Sequence, residues 1–144
     1  MSNQKMQAMY YRDSDGSQPV KEYIAAFTPK ERVILLGQVD LLNQLTINGP
    51  PPEYPRTSQV DGPLRELRCH LGGDLHRIYY QRSENFFVLL HAIRKSGKKL
   101  PPSDTNRAKA RWDDFKERMN ANPRTPPRPV GDDAPPPSFT KARK

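Results

Sequence analysis

Between Leu64 and Pro102 the chain runs LRELRCHLGGDLHRIYYQRSENFFVLLHAIRKSGKKLPP, and this stretch constrains the fold more than any other. Leu67, Cys69 and Leu71 fall on one side at the strand period, with Glu66, Arg68 and His70 on the other. In the next run, Leu75 to Gln81, Ile78 and Tyr80 share one face while Arg77 and Tyr79 share the opposite one. Gly72-Gly73-Asp74 between them is hairpin chemistry, because glycine accepts the positive φ of tight hairpin turns. The third run, Phe86 to Ile93, is apolar on both faces and is expected inside a sheet, emptying into Arg94-Lys95-Ser96-Gly97-Lys98-Lys99. The pattern predicts an antiparallel sheet with one apolar face and one face carrying Arg, Glu and His. Such a polar face is either a floor for a polyanion or simply the solvated side of a half-exposed sheet.

The flanking segments read as scaffold. Ala8 to Arg12 can add a strand, and Asp13-Ser14-Asp15-Gly16 is a turn. A short helix is expected over Pro19 to Phe27, where Val20, Tyr23, Ile24 and Phe27 recur at helical spacing. Thr28-Pro29-Lys30-Glu31 is a helix start with a capping box. The helix it opens has an apolar arc wide enough to meet two surfaces, and it ends at Asn48-Gly49 before three prolines. Residues 50–63 form a proline-rich connector. After the sheet, Ser103 or Asp104 can cap a third helix, in which Ala108, Trp112, Phe115 and Met119 make a core stripe. Arg107, Lys109 and Arg111 lie off that stripe.

The expected organisation is a flexible lead over 1–7, one domain over 8–122, and a Pro-rich, basic, disordered tail over 123–144 whose removal leaves stability nearly unchanged. The formal net charge is +8, and it is unevenly placed: residues 64–99 hold eight Lys/Arg against three Asp/Glu, whereas residues 1–63 hold six against seven. A basic sheet and exit turn favour an acidic partner. The single cysteine, Cys69, excludes an intrachain disulfide and sits among apolar positions as a core thiol. No apolar run is long enough to span a bilayer and the start of the chain is polar, so a cytoplasmic protein without a membrane partner is expected. The histidines and the cysteine show no zinc-like spacing, and no metal or cofactor is expected.

In order and spacing, Glu66-Leu67-Arg68, His76-Arg77-Ile78-Tyr79-Tyr80, Leu89-Leu90-His91-Ala92, Lys98-Lys99-Leu100-Pro101 and Ala108 resemble the phage-derived HigB-like toxins of the RelE/ParE superfamily. The resemblance covers roughly residues 8–120; Arg94-Lys95 stand where that family has paired lysines. It implies an α+β, RelE-like fold: a small antiparallel sheet, two N-terminal helices on one face and a third helix after the sheet. It also implies the toxin of a type II toxin–antitoxin pair, an endoribonuclease that cuts messenger RNA, often on the ribosome, and is restrained by a cognate HigA-like antitoxin.

Such cleavage needs no metal, since the RNA 2′-hydroxyl attacks the adjacent phosphate once a base takes its proton. The protein must then stabilise charge on the phosphoryl oxygens and protonate the departing 5′ oxygen. Arg68 and Arg77, facing the same way on neighbouring strands, suit the phosphate. Glu66 shares their face, either as general base or as the ion-pair partner that holds Arg68 in place. Lys95 and Lys98 are candidates for the acid, and Arg65, Arg94 and Lys99 for flanking phosphates. His70 can carry a proton or touch RNA, His91 is expected as a satisfied buried histidine, and Tyr79 can stack on a base or be an ordinary strand aromatic. Two rival readings stay open: a same-fold toxin that acts by binding gyrase, and a catalytically silent nucleic-acid-binding phage or accessory protein.

Overall fold

The computed structural model describes residues 4–51, 56–94, 101–121 and 130–136. Strand β1 (Gln7–Tyr11) leads into helices α1 (Pro19–Ala25) and α2 (Pro29–Asn43). Strands β2 (Thr57–Asp61), β3 (Leu64–Leu71), β4 (Asp74–Ser83) and β5 (Phe86–Arg94) follow as a meander, then helix α3 (Pro102–Asn120) and strand β6 (Val130–Ala134). The six strands form one sheet in the order β2-β3-β4-β5-β1-β6. The fold is α+β, compatible with a RelE-like architecture, but the sheet is mixed rather than purely antiparallel. β1 runs parallel to β5, because the chain leaves β1, crosses one face as α1 and α2, and enters the meander from the far edge.

The predicted hairpin forms at its expected place. Leu71 pairs with Asp74 across Gly72-Gly73, and Gly72 takes φ +62°. A second tight turn, Gly62-Pro63 with φ +57° at Gly62, joins β2 to β3. β2 therefore occupies the end of the stretch expected to be only a connector; its TSQVD sequence is too polar to signal a strand and is held by pairing with β3. The capping box at the start of α2 is present: Thr28 Oγ1 accepts from the Glu31 backbone N–H, and Glu31 accepts from the Thr28 N–H. α3 begins a turn earlier than expected. Pro101 is its N-cap, so Asp104 lies inside the first turn and its carboxylate is directed elsewhere.

Two cores result, one on each side of the sheet. Val20 and Ile24 of α1 and Leu35, Val39 and Leu42 of α2 cover Leu67, Cys69, Ile78, Tyr80 and Leu89. Burial pushes the Cys69 thiol up to about 12, which keeps it protonated and inert. On the opposite side Ala108 and Phe115 of α3, with Trp112 and Met119 partly buried, cover Met9, Tyr79, Val88 and Leu90. A bulge in β5 opposite Tyr79 and Tyr80 adds one residue there, so Leu90 and His91 both serve the α3 side. Tyr11 fastens the far end of α3: its hydroxyl donates to Asp114 Oδ2 (2.6 Å), which also accepts from Arg118 (2.6 Å).

Both ends of the chain depart from expectation. Gln4–Met6, inside the predicted flexible lead, bond to the segment after α2; the Met6 N–H donates to the Leu45 carbonyl (2.8 Å), and Met6 is buried. Within the predicted disordered tail, Val130–Ala134 is an antiparallel strand on the free edge of β1. Asn43 binds it by donating to the Ala134 carbonyl (3.0 Å) while its side-chain oxygen accepts from the Ala8 N–H (2.6 Å). Asp132 takes an ion pair from Lys21 (2.6 Å). A Cβ at Gly131 would come within 2.8 Å of the Tyr10 carbonyl and 2.2 Å of the Gln18 side chain, so the strand requires glycine there. Composition hid this strand because edge pairing needs backbone groups and one or two small apolar side chains, not a hydrophobic run.

Candidate functional site: an arginine row beside helix α3

The α3 face of the sheet is built of transverse rows, because residues paired across strands point the same way. One row is Arg68, Arg77 and Ile93, paired directly in register. Arg56, just before β2, extends it: the Arg68 N–H donates to the Arg56 carbonyl (2.7 Å), continuing the ladder. The next row is Ser58, Glu66, Tyr79 and His91, again paired strand by strand. Arginine side chains placed opposite one another repel unless a counter-charge or an anionic ligand intervenes. Here Glu66, diagonal to Arg77, supplies one counter-charge at 3.5 Å, with both side chains about 6–7% exposed. Ser58 Oγ donates to the other carboxylate oxygen of Glu66 (3.0 Å).

Exposure along the row is graded. Arg77 is buried, Arg68 is half-buried and Arg56 is exposed. Among the described residues no carboxylate lies within ion-pair distance of Arg68 or Arg56, and the buried Nε of Arg68 has no hydrogen-bond partner. A guanidinium half withdrawn from water, with a donor facing no protein acceptor, is disposed to bind an anion.

At the other end of the second row, His91 is clamped by α3. Arg111, which can only donate, gives hydrogen bonds to the Leu90 carbonyl (2.9 Å) and to His91 Nδ1 (3.1 Å). Nδ1 must therefore be the acceptor, and Nε2 carries the proton that it donates to Asp104 Oδ1 (2.7 Å). Burial lowers the imidazole pKa, opposed by Asp104 and assisted by Arg111, so the ring is neutral at pH 7. The Tyr79 ring lies 5.7 Å from that of His91, and its hydroxyl, raised in pKa by burial, sits beside Thr105 of α3.

The structure thus brings together Glu66, Arg68, Arg77, Tyr79 and His91, and it separates others that the sequence grouped with them. Glu66 and Arg77 do share a face with Arg68, but they are buried rather than open, because Tyr79, α3 and β2 close over them. Tyr79 is fully buried and offers no free ring face to a base. Arg65 points to the opposite side, donating to Tyr80 Oη (3.4 Å) and Thr57 Oγ1 (3.0 Å). Arg94 also falls on the α1 side, opposite His76, and pairs with Asp74 at 3.1 Å. One residue of slip along a strand changes the face, so neither arginine joins the row. His70 is exposed at the hairpin end, and its backbone bonds to Gln38. Lys95, Lys98 and Lys99 lie outside the described residues. Missed by sequence reasoning were Arg56 and Ser58, which count only once β2 is recognised as a strand.

Among the described residues no three His, Cys, Asp or Glu side chains converge as metal ligands, and no helix is long and apolar enough to cross a membrane. A cavity of about 490 Å³ lies between α1, α2 and β6 and contains none of the predicted site residues.

The fold and its arginine row define an α+β domain with a six-stranded mixed sheet, compatible with a RelE-like architecture. The chain matches the phage-derived Gp49-like proteins (DUF891) over residues 22–113, well over half its length, and it belongs to that family, which is tied to RelE and toxin-like proteins. A comparison with curated proteins finds no match.

Proposed function

We propose that the protein is the toxin of a toxin–antitoxin pair and an endoribonuclease that cuts messenger RNA on its α3 face. The observation that carries this reading is Arg68, a half-buried guanidinium without a carboxylate partner, next in register to a charge-compensated Arg77. Arg68 grips the scissile phosphate and stabilises the charge that grows on its oxygens. Arg77 is held from below by Glu66, itself oriented by Ser58, and lends positive potential without rotating away. With a side chain 7% exposed, Glu66 serves as the arginine's support rather than as the base that meets the 2′-hydroxyl. Proton transfer falls to the lysines after β5, Lys95 or Lys98. An acidic or amphipathic antitoxin segment lying over the row would cancel its charge and block access, the HigA-like role.

Burial of Glu66, Arg77 and Tyr79 favours one alternative, a same-fold protein that binds a nucleic acid or gyrase without cutting. Inducible expression in bacteria of wild type beside Arg68→Ala, with growth curves and mapping of RNA 5′ ends, separates them. Growth arrest with new messenger cuts, both absent in the variant, supports the nuclease. Arrest without cuts moves the assignment to the binding toxin, and no arrest at equal protein level refutes the toxin reading.

A further inference from the structure

One row beyond Glu66 and Tyr79 the α3 face changes character. Leu64 and Gln81, the next positions on β3 and β4, form the floor of a cavity of about 330 Å³ between the β2–β3 turn and α3. That volume is at the small end of the range for ligand sites, about 300–1,000 Å³. Pro63 and Trp112 wall it, and the ion pair of Lys109 with Asp61 bridges α3 to the turn at its mouth. Phe115 at 5.4 Å and Lys116 at 5.8 Å hold the indole in place. Gln81 is 9% exposed, yet its side-chain amide makes no hydrogen bond among the described residues. That amide is not sealed inside the protein: it borders the cavity, where a ligand can meet its donor and acceptor.

The geometry points to a nucleobase pocket, in which Gln81 reads the edge of one base of a single-stranded RNA whose phosphates lie on the arginine row. This rests on the RNA reading above and extends it from backbone grip to base choice. Four strand residues separate Arg68 from Leu64, and the same number separates Arg77 from Gln81, so pocket and row are about 13 Å apart on one face. That distance suits one chain reaching from a phosphate to a nearby base. An amide offers a donor and an acceptor side by side, and Trp112 with Leu64 and Pro63 provides the apolar walls a base needs. Asp113, also lining the cavity, is an acceptor that favours bases bearing an amino group and disfavours uracil. The pocket is accordingly a specificity site and takes no part in the cleavage chemistry.

Trp112 is the only tryptophan of the chain, so its fluorescence reports on this pocket directly. The test titrates the full chain with short oligoadenylate and oligouridylate, following Trp112 emission and, separately, the anisotropy of a dye on the RNA. Wild type should bind oligoadenylate about tenfold more tightly, the discrimination expected of one good amide–base contact, with a saturable change in Trp112 emission. Gln81→Leu should bring the two affinities together, and Asp113→Asn, on the surface, should narrow the gap without touching the core. Equal affinities in wild type, or RNA binding that leaves Trp112 emission unchanged, would overturn the pocket while leaving the arginine row standing. Failure of both oligomers to bind would overturn the RNA reading itself, and the pocket with it.

Discussion

The two faces of the sheet solve the same packing problem with different materials. Under α1 and α2 the interior is almost wholly apolar, and its one buried histidine, His76, is settled by the Tyr23 hydroxyl at 2.7 Å and by edge contacts with Phe27 and Tyr23. Under α3 the apolar cluster around Phe115 gives way to Glu66, Arg77, Tyr79 and His91, charges and rings packed in register. The first face makes the fold; the second uses part of that stability to keep ionised groups out of water. Buried ion pairs seldom stabilise relative to apolar substitutes, so stability alone does not account for the pair of Glu66 with Arg77 on this face.

Substitutions of unequal cost can break or sharpen this contrast. On the α3 face, Phe115→Ala should cost about 3–5 kcal/mol by opening a cavity, measured by urea unfolding. Glu66→Ala should cost about as much, about 3–5 kcal/mol, by removing a carboxylate that pairs with the buried Arg77, whereas Glu66→Met with Arg77→Met should recover most of it. If the double variant is no better than the single, the pair supports the fold and not a site. Deleting residues 130–144 should remove on the order of 2 kcal/mol by exposing the β1 edge and the pocket that Val130 fills; an unchanged melting temperature would restore the view of a dispensable tail.

Acid should act on both faces through their histidines. His76 and His91 have pKa values lowered by burial, so the unfolded chain takes up protons before the folded one does. Stability should therefore begin to fall as the pH drops below about 6.5, the ordinary histidine value, and be constant just above it. In melting curves across this window, replacing His91 with Gln should remove only its share of the slope. The smallest stability effect belongs to Arg68→Ala, within about 0.5 kcal/mol of wild type, since Arg68 holds no carboxylate partner among the described residues.

Much of this was legible in the residues. Alternation in LRELRCHL and the Gly72-Gly73 turn placed β3 and β4 in their observed register, and Thr28 with Glu31 marked the start of α2. The same alternation put Arg68, Arg77 and Glu66 on one face. Burial was not legible, because what covers Glu66 and Tyr79 comes from α3, far along the chain, and from β2, whose polar sequence resembles a loop. The register slip that sends Arg65 and Arg94 to the other face follows from strict alternation, which a composition-based grouping of basic residues ignores. His91 was correctly expected to be satisfied, but its partners Asp104 and Arg111 depend on a bulge and on a helix start one turn early.

In the proposed function Arg68 grips a phosphate while the buried Arg77 supports it, and the salt dependence of single-stranded RNA affinity is the sharpest measurement of that division. Removing the group that grips one phosphate should make the slope of log affinity against log salt shallower by about 0.7. Arg68→Ala should show that change together with weaker binding and an unchanged melting temperature. An unaltered slope, or a loss of stability as large as that of Glu66→Ala, would contradict the account.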